Sequence, residues 1–420
     1  MAYKKRIVDS QIEFLLTASG AVLIEGPKWT GKTTTAKQFC KSFIVMDDPK
    51  NRVSNLNFAR VAPEMILAGA NPRLIDEWQV APILWDAVRH EVDNRSKMGQ
   101  FILTGSAVPT RSEEILHSGV GRIARLKMRT MSLLESDDSD GKISLRSLFL
   151  NKTVSPAIND LTIKKLAFLI CRGGWPVAVN LEEKAALQQV KNYYDALIDY
   201  DINNVDETIR DIDKMRSLMK TLSRNISTQA TISTLVEDLK NTDNLISDVT
   251  ISKYLTILKS LHVIEDLSAW NPNLRSKVVV RTSPTRHFID PSIATAALGI
   301  SPNDLLTDFN TMGLFFESMC IRDLRVYADG LGGNVYHYRD KSGLECDAII
   351  HLDNGQWGAI EIKLADHLIP DAIKSLNNLV SKIDDKKMNK PSFLMVLTGG
   401  NSSYRREDGI YVVSIGSLGI

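Results

Sequence analysis

The sequence predicts an α/β protein with a parallel sheet in its amino-terminal third, a helical middle and a mixed α/β carboxyl-terminal part. Three observations indicate this organisation. Short apolar runs alternate with helical patterns up to about residue 130, helical patterns dominate from about 160 to 265, and strands and helices mix again over the final ~120 residues. A length of 420 residues is compatible with two or three domains.

The composition excludes several protein classes. Lys and Arg number 51 against 50 Asp and Glu, so the formal net charge is +1, which excludes a polybasic tail but not a local basic groove. The four cysteines form no C-x-x-C pair, which argues against a disulfide framework and a structural zinc site. Since no run of about 18 apolar residues is present, we expect a soluble, cytoplasmic protein without a membrane span or membrane partner.

The amino-terminal region contains apolar runs that we interpret as strands of a parallel sheet covered on both faces. The runs lie at 21–24, 43–46, 74–75, 101–103 and 123–126. A helical pattern at 82–92 falls between two of them, and the polar stretch 135–142 predicts a loop after the last.

One glycine-rich motif joins the first strand to the next helix. Residues 26–33, Gly-Pro-Lys-Trp-Thr-Gly-Lys-Thr, fit G-x-x-x-x-G-K-[ST] at every fixed position. Glycines let backbone N–H groups turn towards phosphate oxygens, and the helix amino terminus adds partial positive charge. Lys32 is expected to reach the β- and γ-phosphates of ATP, and the Thr33 hydroxyl to ligate Mg²⁺. The predicted nucleotide-binding residues are Gly26, Pro27, Lys28, Trp29, Thr30, Gly31, Lys32, Thr33 and Thr34.

A short apolar strand ending in Asp76 and Glu77 supplies the second half of this site. Asp76 would hold Mg²⁺, and Glu77 would polarise the attacking water. Thr104 or Ser106, after the next apolar run, could sense the γ-phosphate or position the water; the alternative is an ordinary strand followed by a polar turn. Arg122 could offset charge on the γ-phosphate, within the chain or across a subunit contact, or be a surface arginine.

The helical middle ends in a pattern typical of a winged helix. Helices predicted at 231–240 and 250–261 are joined by a polar turn at 241–244 and followed by a strand at 263–267. Between residues 213 and 266, seven basic residues are cancelled by seven acidic ones. Because a helix that docks in a DNA groove usually carries a basic excess, sequence-specific DNA recognition is not favoured over a packing role.

Carboxylates and a lysine lie on predicted strands near the carboxyl terminus. Residues two apart in a strand share a face, so Glu361 and Lys363 point together while their apolar neighbours point to the other side. Asp347, on a neighbouring strand, could join Glu361 around Mg²⁺, and Lys363 could orient a water or stabilise charge on a phosphate. The alternative is a charged face that is simply solvated.

The chain resembles a family of AAA-type ATPases, widespread in bacteria and archaea, with a carboxyl-terminal domain of unknown function. The stretches that carry the resemblance include LIEGPKWTGKTTTAKQF, PRLIDEWQVAPILWDAVRHEVD, GQFILTGSA, SGVGRIARLKMRTMSLLE, RGGWPVAV and HFIDPSIA. The resemblance covers nearly the whole chain and implies an ATPase core, a helical lid, a winged helix and a nuclease-like domain. We place these at 1–135, 155–212, 213–285 and 300–420.

The last of these domains is similar to the PD-(D/E)xK nuclease superfamily, also called restriction-endonuclease-like. The similarity lies in residues 343–347 and in Glu361-Ile362-Lys363. Glu317 matches the acid that this superfamily places on its first helix, so the resemblance implies a nuclease site of Glu317, Asp347, Glu361 and Lys363. Domains of this fold can also act as binding or specificity modules without cleavage.

Our main hypothesis is a Mg²⁺-dependent ATPase whose nucleotide state controls the winged-helix and nuclease-like modules, with DNA or RNA as a candidate partner. The alternative is a nucleotide-gated binding or regulatory protein with a catalytically silent carboxyl-terminal domain. Glu77 beside Asp76 favours turnover, because a pure binder needs the metal ligand but not the water activator. A third possibility is a nuclease for which ATP serves only as a signal that permits cleavage. The sequence is compatible with a homo-oligomer or a partner protein and identifies neither.

Overall fold

The computed structural model of the protein describes residues 3–106, 117–204, 210–240, 246–272, 283–384 and 388–420. The described residues form two compact units, the first within 1–129, 202–209 and 256–263 and the second within 130–201, 210–255 and 264–420. No helix within the described ranges is long and apolar enough to cross a membrane. This division is coarser than the four predicted domains, whose boundaries stay predictions.

A parallel sheet forms the centre of the first unit. Its strands within the described residues are β1 (Ala21–Glu25), β2 (Ser42–Val45), β3 (Arg73–Asp76), β4 (Phe101–Gly105) and β5 (Ile123–Lys127). They pair in the order β2-β3-β4-β1-β5, and every pairing is parallel, as the alternating pattern predicted. The loop after β1 therefore emerges at the carboxyl edge, where open parallel sheets bind their ligands.

Helices cover both faces of this sheet. They are α1 (Val8–Ala18), α2 (Lys32–Ala36), α3 (Arg52–Val61), α4 (Pro63–Leu67) and α5 (Leu84–Arg95). Because successive side chains of a strand alternate between faces, Leu23 packs with the helices α3 to α5, whereas Val22 packs with α1 and α2. The two-sided burial explains why the strands are continuous apolar runs rather than alternating ones.

The middle of the chain is mainly helical, as predicted. Its helices are α6 (Leu145–Phe149), α7 (Ile163–Arg172), α8 (Pro176–Val179), α9 (Glu183–Asp199), α10 (Ile212–Arg224), α11 (Ile232–Lys240), α12 (Asp248–Ser260) and α13 (Pro291–Leu298). The turn predicted at 241–244 lies outside the described residues. In place of the strand predicted at 263–267, isolated antiparallel bridges join Ile264 to Phe288 and Leu267 to Thr285.

A mixed sheet organises the carboxyl-terminal part of the second unit. The strands are β6 (Ile143–Ser144), β7 (Ala157–Ile158), β8 (Gly333–Arg339), β9 (Glu345–Leu352), β10 (Trp357–Lys363), β11 (Phe393–Thr398), β12 (Ser402–Arg405), β13 (Tyr411–Ser414) and β14 (Leu418–Gly419). Among described residues the larger sheet has the order β7-β12-β13-β11-β10-β9-β8, and β14 pairs separately with β6. Antiparallel β8–β9–β10 continues into parallel β10–β11–β13, which confirms the predicted mixed α/β class.

Three helices complete this part of the unit: α14 (Pro302–Thr307), α15 (Phe309–Leu331) and α16 (Ile369–Lys382). Helix α15 packs against β8 and β9, and α16 packs against β9, β10 and β11. Trp357 and Ala359 of β10 are buried against the apolar side of α16. The β10 face that carries Glu361 is thereby covered by a helix, so it is not the solvated charged face that the sequence left as an alternative.

A buried polar cluster ties four segments of the second unit together. The Asp290 carboxylate accepts hydrogen bonds from the Thr130 hydroxyl at 2.8 Å, the Gly174 backbone N–H at 2.9 Å and the Arg322 guanidinium at 3.1 Å. Arg322 also pairs with Asp323 at 2.6 Å, and all three charged side chains are buried. Gly174 and Asp290 lie in RGGWPVAV and HFIDPSIA, two stretches that carry the family resemblance but contain no predicted site residue. The cluster gives these stretches a structural role.

Candidate functional site

The glycines of the phosphate-binding motif hold a backbone shape that other residues would disturb. Gly31 has φ of 90° immediately before α2, in the left-handed region that favours glycine. A Cβ on Gly26 would lie 2.1 Å from the carbonyl oxygen of Met128. The loop therefore folds tightly at the carboxyl end of β1, as the motif predicted.

Lys32 lies inside this loop. Its ammonium donates hydrogen bonds to the carbonyl oxygens of Gly26 at 2.9 Å and Pro27 at 2.7 Å. Burial lowers the pKa of Lys32 to about 8, although the nearby Glu77 and Asp76 carboxylates oppose this change. The ammonium is held where the β- and γ-phosphates are expected, and its burial strengthens any charge interaction made there.

Asp76 accepts hydrogen bonds from two hydroxyl groups. The Thr33 hydroxyl donates to Asp76 Oδ1 at 2.7 Å, and the buried Thr104 hydroxyl donates to the same oxygen. Strand register explains the second contact, because Asp76 of β3 pairs with Thr104 of β4. Thr104 thus contacts the predicted metal ligand, which makes it a positioning residue for Asp76. Ser106, the other predicted sensor, is buried just after β4.

Glu77 follows Asp76 in a left-handed backbone conformation, with φ of 56°. Its carboxylate accepts a hydrogen bond from the Gln79 side-chain amide. Burial raises the pKa of Glu77, while the Gln79 hydrogen bond and the Lys32 charge oppose the rise. A base with a raised pKa takes a proton more readily near neutral pH. Sequence reasoning missed Gln79, because no pattern distinguishes it from other polar residues of a short turn.

Arg122 lies at the end of the sheet opposite to the phosphate loop. Its backbone carbonyl accepts a hydrogen bond from the Ala21 N–H at the start of β1, and its guanidinium pairs with Asp93 at 2.9 Å. A five-residue strand is about 16 Å long, which separates this position from the loop after β1. The predicted contact with a γ-phosphate bound to the same chain is therefore wrong, and contact across a subunit boundary stays a prediction.

The other predicted loop residues have varied surroundings. Thr30 is buried, and its hydroxyl donates to the Pro27 carbonyl at 2.9 Å. Lys28, Trp29 and Thr34 are exposed, Trp29 to 45%.

Arg6 supports the phosphate loop from behind, a role that sequence reasoning missed. Its buried guanidinium donates to the Thr30 carbonyl at 3.0 Å and to the Arg129 carbonyl at 2.9 Å. One planar side chain thus connects the loop to the segment that follows β5. No pattern in the sequence could have indicated this contact, since Arg6 stands in an ordinary basic run before the first helix.

The residues around Asp76 suit Mg²⁺. This ion prefers oxygen ligands and is commonly bound by one or two carboxylates together with phosphate oxygens and water. Asp76 and the Thr33 hydroxyl supply adjacent oxygen atoms at the mouth of the loop. Over the described ranges, no group of three His, Cys, Asp or Glu side chains is arranged to hold a metal ion. An ion at this site would therefore take further ligands from nucleotide and water.

The predicted carboxyl-terminal residues also come together, but a lysine lies between them. The Lys363 ammonium is 2.9 Å from Asp347 Oδ2 and 2.8 Å from Glu361 Oε2. Asp347 also accepts the Ile362 backbone N–H at 2.7 Å, and Glu361 accepts the Ser375 hydroxyl of α16 at 2.9 Å. The two carboxylates thus share the ammonium in this structure, rather than standing open for a shared metal as predicted.

Burial controls the charges in this cluster. It raises the pKa of Glu361 to about 8, and the Asp347 charge adds to the rise while Lys363 opposes it. Burial, and then Asp347, also holds the pKa of Glu317 well above its ordinary value. Burial alone would lower the pKa of Lys363, but Asp347 and Glu361 raise it. The cluster therefore contains more carboxyl groups than cations, and its cation, Lys363, is held firmly by Asp347 and Glu361.

Family models cover three parts of the chain. Residues 18–136 match the model of the AAA domain. The amino-terminal domain is an AAA-type P-loop ATPase domain. Residues 163–304 and 312–418 match two domains of unknown function, DUF8612 and DUF4143. The single DUF8612 match spans the predicted lid and winged helix together. No curated protein matches the chain.

Three solved structures are similar to this chain at low sequence identity. A Walker-type ATPase of Pyrococcus abyssi is 14% identical, over 70% of this chain and 96% of its own, with a TM-score of 0.44. DnaA of Aquifex aeolicus bound to AMPPCP is 12% identical, over 60% and 86%, with a TM-score of 0.24. The ORC1 protein of Aeropyrum pernix in complex with DNA is 13% identical, over 70% and 92%, with a TM-score of 0.26.

Proposed function

We propose that this protein is a Mg²⁺-dependent ATPase whose AAA domain controls its carboxyl-terminal module. The observation that carries the proposal is the convergence of Thr33, Asp76 and Thr104, directly beside Lys32 and Glu77. A protein that only binds nucleotide needs Lys32, Thr33 and Asp76. It does not need a partly buried carboxylate with a raised pKa such as Glu77.

Each residue has a defined part in hydrolysis. Mg²⁺ held by Thr33 and Asp76 would neutralise charge on the phosphate oxygens. Lys32 stabilises the charge that develops on the transferred phosphoryl group, and the loop N–H groups orient the triphosphate. Glu77 accepts a proton from the attacking water, and Thr104 keeps the Asp76 carboxylate in place.

Lys32→Ala tests the nucleotide site. We expect it to abolish measurable ATP binding in isothermal titration calorimetry, because the ammonium that pairs with the phosphates is lost. Lys50→Ala is the matched control, since Lys50 is an exposed lysine of the same unit, outside the loop. Wild-type affinity in Lys32→Ala would place the ATP site elsewhere and contradict the proposal.

A second function is proposed for the carboxyl-terminal module, namely metal-dependent cleavage of a phosphodiester in DNA or RNA. The supporting observation is that the Lys363 ammonium lies within 3 Å of both Asp347 and Glu361 across β9 and β10. Burial, and then the Asp347 charge, hold the pKa of Glu317 on α15 well above its ordinary value. A divalent ion would displace the Lys363 ammonium from the carboxylates and free it to act on the phosphate. The competing proposal is a silent module that only binds.

Nicking of supercoiled plasmid separates these two versions. The full chain should nick plasmid with Mn²⁺, with and without ATP, and Asp347→Ala should lose this activity. If wild type is as inactive as Asp347→Ala on plasmid, single-stranded DNA and single-stranded RNA while ATP hydrolysis continues, the module is silent. The lid at 155–212 and the winged helix at 213–285 are proposed as the connecting elements, supported by the helical middle and by the order of α11, α12 and the bridges after them.

A further inference from the structure

Three acidic residues of the second unit, Glu317, Glu345 and Asp347, line a cleft of about 230 Å³. We call it the Glu317 cleft, and its lining residues come from two walls. One wall belongs to β8 and β9, with Arg339 and Asp347 among its residues, and Glu317 of α15 also lines the cleft. The other wall consists of the segment 227–229 and Thr285. Any ligand that reaches Asp347 through this cleft must pass between the walls.

The second wall is firmly held. Ser227 has a positive φ of 59°, which a non-glycine residue adopts only when its surroundings fix it. Its N–H donates to the Arg286 carbonyl at 2.9 Å, and its hydroxyl donates to the Leu314 carbonyl of α15 at 2.9 Å. Arg286 in turn donates to the Ala230 carbonyl. The second wall of the cleft is therefore anchored to α15 and to the segment around Arg286.

Polar side chains cross the cleft. The Arg339 guanidinium donates to Gln229 Oε1 at 3.1 Å and pairs with Glu345 at 3.0 Å. The Gln229 amide nitrogen lies 3.3 Å from Nδ1 of His337. His337 is only 4% exposed, and its Nε2 makes no hydrogen bond of normal geometry within the described residues, although the Ser283 backbone is close enough to act on its pKa. The lining offers both donors and acceptors to a polar ligand.

The size of the cleft limits what can enter. The space within the cleft is about 230 Å³. That volume is of the order of one sugar–phosphate unit of a single strand. A duplex is too large to enter, because it carries two backbones and its major groove alone is about 12 Å wide. Resting on the proposed function of this module, we propose that the Glu317 cleft seats one unpaired nucleotide, so that the substrate is a single-stranded polynucleotide. Arg339 contacts its backbone phosphate, and Gln229 and Thr285 contact the sugar or base.

Fluorescence anisotropy with the full-length protein tests this inference. The probes are labelled single-stranded DNA, single-stranded RNA and duplex DNA of equal length, with Ca²⁺ in place of Mg²⁺ to support binding without cleavage. We expect at least one single strand to bind about tenfold more tightly than the duplex. The DNA and RNA arms identify which polynucleotide the cleft prefers.

Two variants test the cleft itself. Arg339→Gln should weaken single-strand binding and reduce the slope of log K against log salt by about 0.7, the value for one phosphate contact on a single strand. Gln229→Glu should weaken binding further, because it places a negative charge beside the backbone. Arg406→Gln and Gln188→Glu, at exposed positions elsewhere in the second unit, are the matched controls and should behave as wild type.

The outcomes separate this inference from the proposed function. Duplex binding as tight as single-strand binding overturns the single-strand preference and leaves the nucleic-acid function standing. An unchanged affinity and salt slope in Arg339→Gln overturns the cleft as the binding site. If no polynucleotide binds while ATP hydrolysis continues, the nucleic-acid function proposed for the module fails, and this inference fails with it.

Discussion

The Thr33 hydroxyl lies 2.7 Å from Asp76 Oδ1, although 43 residues separate the two in the chain. Thr33 stands in the first turn of α2 and Asp76 at the end of β3. The parallel sheet brings them together, because the carboxyl ends of its strands meet at one edge. This contact joins the two halves of the proposed nucleotide site.

Glu77→Gln should separate ATP binding from ATP turnover. The amide keeps the shape of the side chain but cannot accept a proton, so we expect Mg²⁺–ATP affinity to persist while kcat falls about a hundredfold or more. Phosphate release and calorimetry measure the two quantities, and Glu64→Gln on the exposed side of α4 is the control. Unchanged turnover would transfer the role to another residue, with Thr104 and Ser106 the first to test.

Thr104→Val should reveal the positioning of Asp76. The variant keeps the volume of the side chain and loses the hydroxyl that bonds to the carboxylate. We expect the Mg²⁺ concentration for half-maximal ATP hydrolysis to rise roughly tenfold or more, as for other residues that orient metal ligands. Thr104→Ser restores the hydroxyl and should restore the wild-type value. If Thr104→Val changes kcat but not the Mg²⁺ requirement, the hydroxyl acts on water or phosphate instead.

Glu361→Gln should change how stability depends on pH in metal-free protein. In the folded chain the pKa of Glu361 is about 8, against 4.5 for an ordinary glutamate. Between these values only the unfolded state has released the proton, so this group destabilises the fold increasingly as pH rises. The Tm advantage of Glu361→Gln over wild type should therefore be larger at pH 8.5 than at pH 5. A constant difference in scanning fluorimetry would show that Glu361 is ionised throughout.

Calorimetric titration with Mn²⁺ should show whether the cluster at Lys363 accepts a metal. The full chain is needed, because β6 and β7, from residues before 160, pair with strands after residue 400. We expect binding heat that Asp347→Ala and Glu361→Ala abolish, and tighter binding in Lys363→Gln, since the competing ammonium is gone.

An Asp76→Asn background removes the contribution of the nucleotide site to these titrations. Asp353→Ala, an exposed aspartate after β9, is the control. Equal heat in all variants, or no heat in any, would mean that the carboxylates of this cluster are structural.

The features that could be predicted from the sequence are those that contiguous motifs and apolar runs determine. The phosphate loop is contiguous, so its residue types alone predict both its backbone and its chemistry. The strands of both sheets are mostly apolar runs, and the order of strands and helices predicts a parallel sheet near one end and a mixed sheet near the other. Asp76 and Glu77 were predictable because they follow such a run directly.

The features that sequence reasoning missed depend on individual side-chain contacts that follow no repeating pattern. Arg6 reaches the Thr30 carbonyl and Gln79 reaches Glu77, but neither contact leaves a periodic signal in the sequence. Arg122 directly precedes β5, so the predicted parallel sheet already puts it at the amino edge, away from the loop after β1. The strands β6, β7, β12 and β14 have only two to four residues, too few for an alternating pattern to be recognised.

The Ser139 hydroxyl donates to the Leu418 carbonyl, and the two residues are 279 positions apart. During synthesis at about 5–20 residues per second, the earlier segment waits on the order of tens of seconds for its partner. The first unit is nearly all contained within the first 129 residues and can form on the ribosome in that interval. The second unit cannot, so its early helices are exposed to chaperones, and slower translation lengthens that exposure.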